Sequence, residues 1–524
     1  MKKKVKKHLE TCATSYHWSK IGIKHHHGIC LAVFSLKSKT SLGIGEFLDL
    51  LPMIDFVKKI KMDTIQLLPI NECGKDPSPY NAFSSCALHP IYLKFSALPY
   101  LNKTLREKFK NFTLYKNLKS VNYEKVRRLK HNWLLKYFKE NFKYFENDVH
   151  FQRFVKNNSW LHPYAVFHIL RKKFKEKNWF YWPKKFQDIT EEKLSAILRE
   201  NQFDANFHYL AQFLCYSQMM EVKNYATKKK IFIKGDIPIL LNRNSVDVWY
   251  ERHLFDLNHV AGCPPDDTSP LGQKWGFPLY NWDSMRAHNF DWWKRRLSLA
   301  TTCYHIYRID HVVGFFRIWA ILPKDKSQHG KFLPKHYYQW KGQGQELLNM
   351  MIDSSIMLPI AEDLGLIPKM TYESEIELGI CGTKVMRWQK KRKKFVNIKD
   401  YEPISLTCVS THDFPTLTLW WKDYPEEAKE YCKFRKWKFT KNLSEKHRFG
   451  LLHNAHHSAS LFHINLLQEY LGFFDELVWK NPNDERINIS GMKNNKNWKY
   501  RFKPSVEELL ENKKLIDVMK RLIK

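Results

Sequence analysis

The stretch Tyr304-His-Ile-Tyr-Arg-Ile-Asp310-His311 begins apolar and ends in ionisable residues. Three others repeat the pattern: Ile231-Phe-Ile-Lys-Gly-Asp-Ile-Pro-Ile239, Ile356-Met-Leu-Pro-Ile-Ala-Glu-Asp363 and Leu406-Thr-Cys-Val-Ser-Thr-His-Asp413. Apolar runs this short, bounded by polar residues, read as buried strands. In a parallel barrel the reactive groups gather at the C-terminal ends of the strands, which is where these runs carry their charges. Upstream, Ile29-Cys-Leu-Ala-Val-Phe-Ser-Leu36, the turn Gly43-Ile-Gly45, an apolar-periodic Phe47 to Ile60 and Ile65-Gln-Leu-Leu-Pro-Ile70 read as strand, loop, helix and strand. That βαβ unit points the same way. The fold expected is α/β, a TIM (β/α)8 barrel with helical insertions and subdomains on its rim.

Between the two groups of strands the texture changes. From Leu101 to Lys230 the chain is rich in Lys and aromatic residues, nearly free of Gly, and spaced as helix, for example Trp133-Leu-Leu-Lys-Tyr-Phe138 and Tyr164-Ala-Val-Phe-His-Ile-Leu-Arg171. The expected organisation is a first part of the catalytic barrel at 28–100, a mainly helical inserted subdomain at 101–230, and the rest of the barrel with rim loops and C-terminal helices at 231–524. Asp310 and Glu362 are 52 residues apart, and Glu362 and Asp413 are 51. Both spacings exceed the roughly 30 residues of a minimal βαβ unit, so extra loops must decorate the rim.

Composition bounds the alternatives. The chain has 524 residues, 44% hydrophobic and 15% aromatic, enough to bury a large core and to exclude disorder. Its 87 Lys and Arg against 53 Asp and Glu give a net charge of +34, which raises nucleic acid as a partner. The basic residues are dispersed, however, and no zinc-finger, RRM or Walker motif accompanies them, so nucleic acid is not expected as the main partner. The start Met1-Lys-Lys-Lys-Val-Lys-Lys-His8 lacks the apolar stretch of a signal peptide, and no run approaches the roughly 20 apolar residues that cross a bilayer. Ten cysteines lie singly, with no CxxC pair, as expected of reduced thiols in the cytoplasm. His25-His-His27 reads as a loop beside Gly28. With no HExxH or other convincing ligand spacing, neither a metal nor a cofactor is expected.

The strand ends carry the chemistry. On a strand Arg308 and Asp310 share a face, and a fixed guanidinium beside a carboxylate favours the ionised form, which suits a nucleophile. Glu362 follows an apolar strand, at the edge of a low-dielectric interior that favours the protonated form of a general acid. Thr411-His412-Asp413 ends another strand and offers a hydrogen-bonding imidazole and a third carboxylate. Taken singly each has an ordinary structural reading: a strand-end salt bridge, an N-cap by Asp363 with Glu362 as a first-turn charge, a structural His-Asp pair. Three carboxylates from three strand ends, one backed by Arg, match the needs of glycosidic-bond chemistry: an acid for the leaving oxygen, a carboxylate facing the anomeric carbon, and negative charge near a developing oxocarbenium ion. Trp249, Trp275, Tyr280, Trp282, Trp292, Trp293, Trp319 and Trp420 surround these motifs. Rings of this kind stack on sugar C–H faces, although more than half of them should be ordinary core.

Taken together, the motifs resemble those of the 4-α-glucanotransferases, or amylomaltases, of glycoside hydrolase family 77. The resemblance rests on Ser41-Leu-Gly-Ile-Gly-Glu-Phe-Leu-Asp-Leu50, Gln66-Leu-Leu-Pro69, Ser78-Pro-Tyr80, Gly235-Asp236-Ile-Pro238, Ser245-Val-Asp-Val-Trp249, Ala261-Gly-Cys-Pro-Pro-Asp266 and Gly272-Gln-Lys-Trp-Gly-Phe-Pro-Leu-Tyr280. It continues through the three carboxylate segments to Glu485-Arg-Ile-Asn-Ile-Ser-Gly491 and Asn497-Trp-Lys-Tyr-Arg501. It implies Asp310 as nucleophile, Glu362 as general acid/base and Asp413 as the third carboxylate that grips sugar hydroxyls. Tyr80, Asp236, Arg308, His311 and His412 are similar to residues lining the donor sugar subsite, and Trp275 to a subsite platform. The substrates implied are α-1,4-glucans and maltooligosaccharides, with no cofactor. The chain departs from some members at Phe277, at Phe414-Pro415-Thr416 and at His89, and no starch-binding domain is expected before Gly28. A hydrolase or phosphorylase on the same barrel would show the same carboxylates; the resemblance selects the transferase.

Overall fold

The computed structural model describes residues 3–265, 269–492 and 495–524. Eight parallel strands form one sheet: β1 (His26–Leu31), β2 (Thr64–Leu67), β3 (Phe232–Ile237), β4 (Ile306–Ile309), β5 (Leu358–Ala361), β6 (Gly382–Val385), β7 (Ser405–Cys408) and β8 (Phe462–Leu466). Their order is β5-β4-β3-β2-β1-β8-β7-β6. A parallel bridge between Ile360 and Cys381 joins its two ends, closing a (β/α)8 barrel. All but a few strand residues are buried, as expected where helices cover the outside and side chains fill the inside.

Register sets the interior in levels. Cys30, Gln66 and Lys234 are paired across β1, β2 and β3, and Lys234 Nζ donates to Gln66 Oε1 at 2.7 Å. Two residues further along β3, Asp236 pairs with Arg308 of β4, so the alternation of a strand brings both to the next level, beneath the C-terminal mouth. Between the two levels Gly235 turns the other way, where a Cβ would lie 2.3 Å from the Tyr304 ring; only glycine lets that ring cover the strand.

The segment 101–230 contains helices and no strand, the longest being Tyr123–Glu146 and Gln202–Lys229. The second of these leads straight into β3 and packs on the helix Leu50–Lys59. On the mouth of the barrel, four short antiparallel strands (Val260–Cys263, Gln273–Lys274, Ile318–Ile321 and Lys331–Leu333) form a rim sheet that carries Trp319 and Phe332.

Four local expectations need correction. The triple His is not a loop, because β1 starts at His26, whose ring is fixed by Asp63 at 2.8 Å, and His27 stacks on His463 of β8. The first strand correspondingly ends at Leu31, before a 3-10 turn at Val33–Ser35. Asp363 caps no helix: the next one starts at Lys369, while Asp363 is buried and accepts from the Thr383 amide and from Lys384. Thr411-His412-Asp413 does not end a strand, since β7 stops at Cys408 and these residues extend over the mouth. Asp266, part of one quoted motif, lies outside the described residues.

Candidate active site

Arg308 organises the mouth. Its Nη1 donates to Asp310 Oδ1 at 2.8 Å and to Asp236 Oδ1 and Oδ2 at 2.8 and 3.1 Å, while Nη2 lies 3.4 Å from Glu362 Oε2. One guanidinium therefore touches three carboxylates that arrive on β3, β4 and β5. Asp310, the first residue past β4, is further held by the Ile239 amide, which donates to Oδ2 at 3.2 Å. Glu362, the first residue past β5, accepts backbone N–H bonds on both oxygens, from His311 at 2.9 Å and Leu364 at 3.0 Å. To aim its amide that way His311 takes the left-handed backbone region, φ 45°, uncommon for a non-glycine residue and concentrated at functional sites.

The electrostatics separate the carboxylates. Burial pushes Glu362 up to about 8 against the pull of Arg308, with the Asp310 charge adding to the rise, so it holds its proton at neutral pH. Burial also raises Asp413, but His412 at 3.2 Å, the bond from Asn488 and the Arg308 charge outweigh it and bring the group down to about 2. Burial lowers His311 to about 4, which leaves it a neutral hydrogen-bonding group. One level down, burial and the Arg308 charge bring the Lys234 ammonium to about 8. A carboxyl that holds its proton, Glu362, thus stands in one mouth with a carboxylate that stays ionised, Asp413, the kind of separation that glycosidic chemistry uses.

The remaining expected residues assemble around this core. The Tyr80 hydroxyl donates to Asp236 Oδ2 at 2.6 Å and meets His412 Nε2 at 3.0 Å, with the two rings stacked 5.5 Å apart. Trp275 packs its ring edge-on to His311 at 5.0 Å and lines the cleft. Asp236 stands apart from the other eight: only 1% exposed, it lies behind the cleft wall and acts on it through Tyr80 and Arg308. Of the eight aromatic residues around the motifs, Trp249, Tyr280, Trp292, Trp293 and Trp420 are buried, and Trp275 and Trp319 line the cleft.

Several functional residues carried no signal of their own. Asn488 Nδ2 donates to Asp413 Oδ1 at 2.6 Å, and Arg486 donates to the Asp413 carbonyl. Trp498 packs on both Tyr80 and His412, and Trp388 meets Phe414 edge-on at 4.5 Å. Together they wall a cleft of about 950 Å³. Asn488 and Trp498 fall within quoted motifs; Trp388 could have been found only through its fold neighbours.

Ile239 links Asp310 to a buried tyrosine. Its carbonyl accepts from the Tyr280 hydroxyl at 2.6 Å while its amide serves Asp310. Tyr280→Phe is expected to lower kcat about fivefold, the kinetic equivalent of the ~1 kcal/mol of one hydrogen bond, with KM little changed. Steady-state kinetics check it: a KM change at constant kcat would show that Tyr280 does not act by positioning Asp310.

Comparison with known proteins agrees with this geometry. The family model for 4-alpha-glucanotransferase, glycoside hydrolase family 77, matches residues 31–507. The 4-alpha-glucanotransferase of Chlamydia pneumoniae is 39% identical, over 99% of each chain, and that of Chlamydia trachomatis is 38% identical over 96% of each. Among solved structures, the amylomaltase from Streptococcus agalactiae in complex with acarbose superposes with a TM-score of 0.81 at 25% identity, covering 95% of this chain and 98% of that one. The amylomaltase from Corynebacterium glutamicum gives 0.79 at 18% identity over 98% of this chain and 76% of that one, a likeness of fold. A closed (β/α)8 barrel bearing these carboxylates, matched by one family along nearly its whole length, belongs to the 4-α-glucanotransferases of glycoside hydrolase family 77.

Proposed function

We propose that the chain transfers a segment of a 1,4-α-D-glucan to the 4-hydroxyl of an acceptor glucose or maltooligosaccharide by a retaining double displacement. Glu362 gives its proton to the glycosidic oxygen while an Asp310 carboxylate oxygen attacks C1. The C1–O bond breaks, the leaving glucan departs with the proton, and a β-linked glycosyl ester remains on Asp310. Glu362, now ionised, takes the proton of the incoming 4-hydroxyl as that oxygen attacks C1 and releases Asp310. Asp413, fixed by His412 and Asn488, binds sugar hydroxyls in this reading and places negative charge near the oxocarbenium-like transition state.

The observation that carries the assignment is the single Arg308 guanidinium shared by Asp310 and Glu362, one carboxylate fixed for attack and the other kept protonated. Transfer in place of hydrolysis depends on holding an acceptor and displacing water. Trp275, Trp388, Phe414 and Trp498 supply apolar walls for that. Residues 28–100 and 231–524 in this reading form the catalytic barrel, with 101–230 an inserted subdomain. The ten free cysteines suit the reducing cytoplasm, and among the described residues no helix is long and apolar enough to cross a membrane.

Incubation with maltotriose alone tests the function. A ladder of longer maltooligosaccharides together with free glucose is expected. Glucose and maltose without the ladder would make the protein a hydrolase.

A further inference from the structure

The segment that carries Trp275 walls two cavities. Gly262, Trp275 and Phe277 face the catalytic cleft, whereas His253, residues 255–259 and 279–283 face a second cavity of about 1330 Å³. The two share one residue, Ile239. The second cavity combines half-buried rings, Tyr250 and Trp282, with charged groups that are already paired: Arg252 with Asp188 at 2.8 Å, and Arg286 with Glu346 at 2.8 Å.

That pairing selects the ligand. A phosphate or carboxylate ligand would have to displace Asp188 or Glu346 from its arginine, and an apolar ligand would desolvate the ion pairs without replacing their hydration. A neutral chain with many hydroxyls meets neither cost. Its hydroxyls bond to the edges of carboxylate, guanidinium and amide groups while its C–H faces lie on the rings. A cavity of about 1330 Å³ has room for several linked sugar rings.

We propose that this second cavity binds α-1,4-glucan, outside the catalytic cleft, and holds part of a long chain while another part is processed. The choice of glucan rests on the function proposed above; the neutral, polyhydroxylated character of the ligand rests on the cavity alone. Occupancy would be felt at Asp310 through Ile239, which borders both cavities and whose amide donates to the Asp310 carboxylate.

The test is a calorimetric titration of the Asp310→Asn variant with maltoheptaose, which removes turnover and leaves binding. Two maltoheptaose molecules per chain are expected, falling to one when Trp282→Ala is added, and also with Gln339→Trp, an exposed rim position that narrows the cavity without touching its core. One or no molecule bound to Asp310→Asn, or two retained by both double variants, would overturn the proposal. Transfer from maltotriose by the unaltered protein is read separately, so loss of the second site and loss of the glucanotransferase reading give different results.

Discussion

Asp310→Asn is expected to lower transfer from maltotriose by about four to six orders of magnitude, the scale of loss when the group that forms a covalent intermediate is removed. The amide is isosteric but cannot form the ester; its oxygen can accept from Arg308 or from the Ile239 amide, and its NH2 then faces the other donor, so the variant's thermal stability is measured beside its rate. A second effect reaches Glu362. Its high proton affinity owes part of its rise to the Asp310 charge, and Arg308 opposes that rise. With residue 310 neutral, the repulsion is gone and the guanidinium has one anion fewer, so Glu362 should ionise at a lower pH.

Rate loss alone does not separate a nucleophile from a structural anion, but stereochemistry does. With α-maltosyl fluoride as donor, Asp310→Ala opens room on the β face, and azide can attack C1 there as fluoride leaves. The product expected is β-maltosyl azide, inverted relative to the donor, identified by its anomeric proton coupling in NMR. Retention of near-normal transfer by Asp310→Asn, or α-azide from Asp310→Ala, would remove Asp310 as nucleophile.

The parts of this site that were legible in the sequence are those that a strand delivers directly. Asp310 and Glu362 immediately follow β4 and β5, and Arg308 sits within β4, so an apolar run ending in charge exposed all three. The same signal failed for β6 and β8. Gly382-Thr-Lys-Val385 has one large apolar residue, and in Phe462-His-Ile-Asn-Leu466 the polar positions are buried: Asn465 donates to the Tyr470 hydroxyl and accepts from the Val409 amide. A buried strand whose polar side chains are satisfied by tertiary partners looks like a turn to any reading of local hydropathy. Tyr80 meets Asp236 across 156 residues of sequence and Asn488 meets Asp413 across 75, distances at which no periodicity links residues. The resemblance placed Tyr80 and Asp236 at one subsite; it brought Asn488 only as part of a quoted motif, without a role, and Trp388 came from neither source. The charge surplus proved the least informative feature. The cations that line the cleft are already engaged, Arg308 by the carboxylates, Lys234 by Gln66, and Lys274 and Arg317 by backbone carbonyls, while rings and carboxylates make up much of the rest.

Replacing Glu362 should divide the reaction by leaving group. Cleavage of maltotriose requires a proton on the departing sugar oxygen, so Glu362→Ala is expected to lose about 10²- to 10⁴-fold on maltotriose, the usual contribution of a positioned acid. Fluoride departs without that proton, so release from α-maltosyl fluoride should survive as a burst near one equivalent per chain, followed by slow turnover because no base activates the acceptor. Azide, which needs no base, should then relieve the second step and give α-maltosyl azide, two inversions at C1 amounting to retention. The opposite anomers from Asp310→Ala and Glu362→Ala would fix the two roles against each other. The pH profile follows from the same proton. Because the raised value keeps Glu362 protonated up to about 8, kcat/KM for maltotriose should be full below that pH and fall as pH rises through it. Lys234 also titrates near 8 within the barrel, so the limb has two candidate owners. With α-maltosyl fluoride and azide, the limb should vanish in Glu362→Ala if the carboxyl sets it. A limb that persists near pH 8 in that variant would assign it to Lys234, and the acid role of Glu362 would then have to rest on the leaving-group dependence alone.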